Sequence, residues 1–144
     1  MLNDDSIKLL RECDAGIIMG INSLKDVRDD IKDFELADII DNSIDTHKLL
    51  KEKVEKLLDE NNDDGKMPSA VAETMSWMKT NIKLIADNTD ATVADLITDG
   101  CSMGVKSISR YINQYTKAEP VAVSIAKNLR DIEEELEIEL REYL

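Results

Sequence analysis

Proline and glycine are scarce in this 144-residue chain, at two and five residues. That scarcity leaves few of the tight turns on which a sandwich or barrel of short strands depends. Aromatic residues are almost absent: Phe34, Trp77, Tyr111, Tyr115 and Tyr143 are the whole set, so the core has to be aliphatic. Two cysteines, Cys13 and Cys101, exclude a disulfide scaffold, and no Cys-x-x-Cys or Gly-rich phosphate loop occurs. There is one histidine, His47. Lysine and arginine together number 18 against 31 acids, for a net charge of −13. Such a surface repels phosphate backbones and anionic headgroups, so neither nucleic acid nor membrane is an expected partner. The longest markedly apolar run, Gly16 to Ile21, is far too short to span a bilayer. The opening Met1–Ser6 lacks the basic and apolar regions of a signal peptide. A cytoplasmic protein with free, buried thiols is the expectation.

What is present is apolar and charged residue in helical register, 42% and 34% of the chain. The stripes predict one all-α domain over 1–144. A first helix from about Asp5 to Arg28 carries Ile7, Leu10, Asp14, Ile17, Ile21 and Leu24 on one face. A second, from about Phe34 to Glu60, carries Leu36, Ile40, Ser43, His47, Leu50, Val54 and Leu57. A connecting helix over about 68–87 follows a solvated break at Asn61–Gly65. A further helix runs from about residue 92 to Tyr115, capped by Asp90 or Thr92. The last starts with Pro120 in its first turn and continues to the C-terminus. Met19, Met75, Met78 and Met103 take core-like positions.

The chain repeats itself. Gly16-Ile-Ile-Met-Gly-Ile-Asn-Ser-Leu24 matches Gly100-Cys-Ser-Met-Gly-Val-Lys-Ser-Ile108 at an offset of 84 residues, with Gly, Met, Gly and Ser shared. Asp45/Asp131, Leu50/Leu136, Val54/Leu140 and Leu58/Leu144 continue the match at an offset of 86. The two added residues are expected in the second interhelical turn. Hairpins over about 5–60 and 92–144, joined through 68–87, describe a ferritin-like four-helix bundle built from two duplicated hairpins, with an extra helix in the crossover. Mid-helix glycines cost about 1 kcal/mol each, so close helix contact along Gly16, Gly20, Ser23 and Gly100, Gly104, Ser107 is expected to compensate.

Trp77-Met-Lys-Thr-Asn-Ile-Lys83 and Asp95-Leu-Ile-Thr-Asp-Gly-Cys-Ser-Met-Gly-Val-Lys-Ser107 resemble small helical proteins of clostridial-type gut bacteria, themselves similar to distant ferritin-like superfamily members. The resemblance is best from residue 68 onward. It implies the fold and a bacterial cytoplasmic origin, and it carries no activity.

Diiron members of that superfamily need two Glu-x-x-His motifs, and one histidine cannot supply them. Ile44 precedes His47 by three residues, Lys48 follows Asp45 by three, and Glu134 follows Asp131 by three. No cofactor is therefore expected. If the first hairpin turns near Ile31, Asp14 and His47 stand at equal height on facing stripes. The expected arrangement is structural, with Asp14 and His47 buried and hydrogen-bonded to each other or to nearby backbone; a reduced metal site of Asp14 and His47 with Glu133 or Glu134 is the alternative. The sequence alone favours a non-enzymatic bundle that associates with itself or a protein partner. A metal or redox protein and a small-molecule carrier with a Met-lined pocket stand as alternatives, and an internal cavity would favour the carrier.

Overall fold

The computed structural model describes residues 1–63 and 89–144; the expected helix over 68–87, with Met75, Trp77 and Met78, lies outside the described residues. Among the described residues the chain forms four α-helices and no strand. They are α1 (Asp4–Arg28), α2 (Phe34–Glu60), α3 (Asp90–Gln114) and α4 (Pro120–Leu140), followed by a 3-10 turn at Arg141–Tyr143.

Local chemistry sets the ends. Asn3, Asp33 and Thr89 each accept a hydrogen bond from the backbone N–H three residues on, which satisfies an otherwise orphaned donor of the first turn. The cap of α3 is thus Thr89, ahead of both expected candidates. Asp90 serves a tertiary role: its carboxylate accepts from the backbone N–H groups of Lys32 and Asp33 and ties the start of α3 to the α1–α2 turn. Pro120 opens α4 without a side-chain cap. The Glu119 carboxylate before it accepts instead from Asn3 N–H, and Glu119 N–H donates to the buried Ser6 hydroxyl. Asn62 takes the left-handed conformation (φ 58°) that closes α2, a position asparagine tolerates better than most residues.

These ties fix the directions. The start of α3 sits beside the end of α1, and the α3–α4 turn sits beside the start of α1, so α1 and α3 are antiparallel. α2 and α3 run the same way, and α2 ends at the opposite end of the bundle from where α3 begins. Both turns, 29–33 and 115–119, have the same length. The second turn is thus not lengthened by the two residues expected there, and α1 and α3 span 25 residues each.

The core lies in two blocks, one at each end. Leu9, Leu10, Cys13, Ile17, Leu50, Val54, Leu58, Ile125 and Leu129 build the first. Leu24, Leu36, Ile40, Val93, Ala94, Ile97, Leu136 and Leu140 build the second. His47 and Glu133, both buried, belong to neither block.

Candidate functional site

His47 projects from α2 among apolar neighbours and is fully buried. Its Nδ1 lies 2.7 Å from the Ser43 carbonyl oxygen one turn back. A carbonyl only accepts, so Nδ1 carries a proton. Nε2 lies 2.7 Å from Oε1 of Glu133 on α4. Burial works against a charged imidazole, but the hydrogen bond and charge of Glu133, with the Ser43 carbonyl, outweigh it and hold the His47 pKa above its ordinary value. The arrangement is a buried imidazole that donates from Nδ1 to a carbonyl and shares a short hydrogen bond between Nε2 and the Glu133 carboxyl group.

Glycine makes room for this pair. A Cβ on Gly20 would meet His47 Nε2 at 3.1 Å and Cδ2 at 3.2 Å, closer than side chains normally pack. A Cβ on Gly104 would approach Glu133 no nearer than 3.7 Å, and one on Gly16 would meet Leu129 at 3.8 Å. Gly16, Gly20 and Gly104 thus leave room for side chains arriving from α2 and α4.

The small faces do look toward each other, but across a cavity of about 160 Å³. Gly16, Gly20 and Ser23 line it from α1, and Gly100, Gly104 and Ser107 from α3. Ile108, Leu129 and Leu136 are among its apolar walls, and His47 and Glu133 line it from the other two helices. Met19 and Met103, equivalent positions of the repeat, also line it. They are not the core residues they were expected to be: Met19 is half-buried and Met103 is 41% exposed.

Glu12 and Tyr111 line the same cavity. Burial raises the Glu12 carboxyl pKa, and the Tyr111 hydroxyl, acting on it as a donor, lowers it in part. Glu12 Oε2 is shielded from solvent and has no hydrogen-bond partner among the described residues. The sequence reading missed Glu12. The signal was present, because Glu12 stands four residues before Gly16 and continues the face through Gly20 and Ser23.

The expected Asp14–His47 bond does not form. Asp14 is buried, its Oδ1 has no partner, and the charges acting on it come from Glu55 and Lys51. Burial first, then Glu55, push its pKa up to about 6 against the pull of Lys51. The height estimate was made along the α1–α2 hairpin alone; facing direction decides the partner, and His47 faces α4. Of Asp14, His47, Glu133 and Glu134, the structure joins only His47 and Glu133, and Glu134 is exposed. Among the described residues no group of three or more His, Cys, Asp or Glu could hold a metal ion.

Both thiols are free and buried. Burial pushes Cys13 up to about 12. Cys101 is also held far above the ordinary thiol range, by burial and by the neighbouring Glu133 carboxylate. A catalytic thiol needs an imidazole beside it and a lowered pKa. Here the carboxylate is the group acting on the thiol, and the shift runs the other way.

Among the described residues no helix is long and apolar enough to cross a membrane. No family model matches the chain, and no curated protein is significantly similar to it.

Proposed function

We propose that the protein is a non-enzymatic, ferritin-like four-helix bundle of the bacterial cytoplasm that binds one small, largely apolar molecule between α1 and α3. The observation that carries this reading is the cavity itself. Protein interiors close-pack, and voids larger than a water molecule are few. Here four glycines and two serines, in two matched sets, keep one open at a cost in helix propensity. A cavity of about 150 Å³ suffices for benzene, so this one suits a body of similar size.

Duplication followed by divergence explains why the site has this composition. At an offset of 84, buried Leu9, Leu10, Cys13, Asp14, Ile17 and Leu24 of α1 correspond to buried Val93, Ala94, Ile97, Thr98, Cys101 and Ile108 of α3. At an offset of 86, buried Leu36, Ile40, Ser43, His47, Leu50 and Val54 correspond to buried Ala122, Ala126, Leu129, Glu133, Leu136 and Leu140. His47 and Glu133 are therefore counterparts, and they touch. Equivalent residues meet when they lie on the axis relating two halves. The parallel course of α2 and α3, with a long connection between them, agrees with ferritin-like topology.

Diiron chemistry is not part of the proposal, because the donor set does not fit it. Both nitrogens of the single histidine are engaged in hydrogen bonds, Asp45, Asp131 and Glu134 are exposed, and Asp14 faces elsewhere.

Calorimetric titration with benzyl alcohol tests the reading. Saturable one-to-one binding is expected in the parent protein and should be lost in Gly16→Leu and in Ser107→Leu, which fill the cavity from opposite helices. Ser107 is only half-buried, so the second variant keeps the test usable if the first folds poorly. Absence of binding to the parent, or undiminished binding to both folded variants, would contradict it.

A further inference from the structure

Resting on that reading, we infer the chemical class of the ligand: a small organic monocation, with a primary ammonium group on a compact apolar body and the ammonium seated against Glu12.

Among the described residues lining the cavity, three carry carboxyl or imidazole groups: Glu12, His47 and Glu133. The last two answer each other through the 2.7 Å contact. Glu12 is acted on by the Tyr111 hydroxyl but, among the described residues, by no cation, so its charge is left unbalanced. Its Oε2 is out of reach of solvent and bonded to nothing. A buried carboxylate oxygen is normally hydrogen-bonded, because leaving it bare forfeits its hydration with no return. A positively charged occupant beside the part of Glu12 that lines the cavity offsets that deficit electrostatically.

The occupant's other properties follow from the walls. Among the described residues no lysine or arginine lines the cavity, so a carboxylate, sulfate or phosphate would meet two carboxyl groups with His47 as the one basic side chain there. Anions are excluded. A neutral alcohol could donate one hydrogen bond to Glu12 but would leave its charge unbalanced. An ammonium group brings three donors and the missing charge. Away from Glu12, the His47–Glu133 pair and the serines, the walls are largely methylene, methyl and thioether groups, among them those of Met19, Leu24, Ile97, Met103 and Leu129, which suits an apolar body of about six to eight heavy atoms by comparison with benzene-sized cavities. The net charge of −13 raises the local concentration of such cations around the molecule.

The experiment is calorimetric titration of the full chain at neutral pH with three probes of one shape: benzylamine, benzyl alcohol and benzoate. Benzylamine is expected to bind about tenfold tighter than benzyl alcohol, the return for one charge-assisted hydrogen bond, and benzoate more weakly than either. In Glu12→Gln the amine preference should vanish while benzyl alcohol binding persists, which also shows that the variant is folded. Equal affinity for amine and alcohol in the parent would overturn the inference and leave the cavity reading standing. So would an amine preference that survives in Glu12→Gln, since attraction to the acidic surface would then account for it. Failure of all three probes would overturn both readings.

Discussion

Asp14 shows how one buried carboxyl can govern stability against pH. It is buried, one oxygen is bonded to nothing, and its pKa is raised to about 6 from 3.8. The unfolded chain releases this proton near pH 4, while the folded protein holds it to about pH 6. Between these values the native state binds more protons, so stability falls as pH rises. His47 acts in the same sense: with its folded pKa raised, the stability it contributes is full below the unfolded value of about 6.5 and is lost as pH rises through the folded one. A substitution is needed to separate the two. At the repeat-equivalent position, Thr98 is buried and satisfied, its hydroxyl donating to the Asp95 carbonyl three residues back. Asp14→Thr should reproduce that bond to Arg11. We expect it to stabilise the protein by about 1–2 kcal/mol at pH 7.5, with the gain falling by about half at pH 5. Urea unfolding at the two pH values measures this, and a gain that does not depend on pH would show that the Asp14 charge is not its source.

At the scale of the helices, the account predicts that glycines which look alike in the sequence behave differently. Gly104→Ala gains helix propensity, about 1 kcal/mol, and its new methyl group meets nothing closer than 3.7 Å. Gly20→Ala gains the same propensity but drives a methyl group to 3.1 Å from a histidine nitrogen that two hydrogen bonds hold in place. We expect Gly104→Ala to be stabilising and Gly20→Ala to be destabilising by about 1 kcal/mol or more. Equal effects in denaturant titrations would show that the pair can shift freely. The helices themselves were legible in the sequence. The second was expected over Phe34 to Glu60 and occupies those residues, because polar clusters and caps at both ends leave its stripe one extent. The start of α3 was less legible, because Thr89, Asp90 and Thr92 are all competent caps and only the tertiary use of Asp90 decides among them.

For the molecule as a whole, periodicity and composition predicted an all-α bundle, but not what its centre holds. A hydrophobic stripe states which side of a helix is buried; it does not state which of three neighbours a given residue meets. His47 is buried and bonded to nearby backbone, as expected, but the side chain it meets is Glu133 and not Asp14. The repeat contained the missing information, since His47 and Glu133 stand 86 residues apart, the offset of the second helices. The cavity was hidden for a related reason. Small residues at helical spacing can draw two backbones together or leave a space, and here the Glu133 and Leu129 side chains lie beside Gly104 and Gly16 while a cavity lies between the two small faces. The central claim is that this space receives a ligand. Its most direct test is methyl NMR of the protein labelled at methionine, titrated with benzylamine. Met19 and Met103 line the cavity from opposite helices. The account predicts that both methyl resonances shift together and saturate at one equivalent, and that neither does so in Ser107→Leu. Resonances that stay fixed, or that drift without saturating, would contradict it.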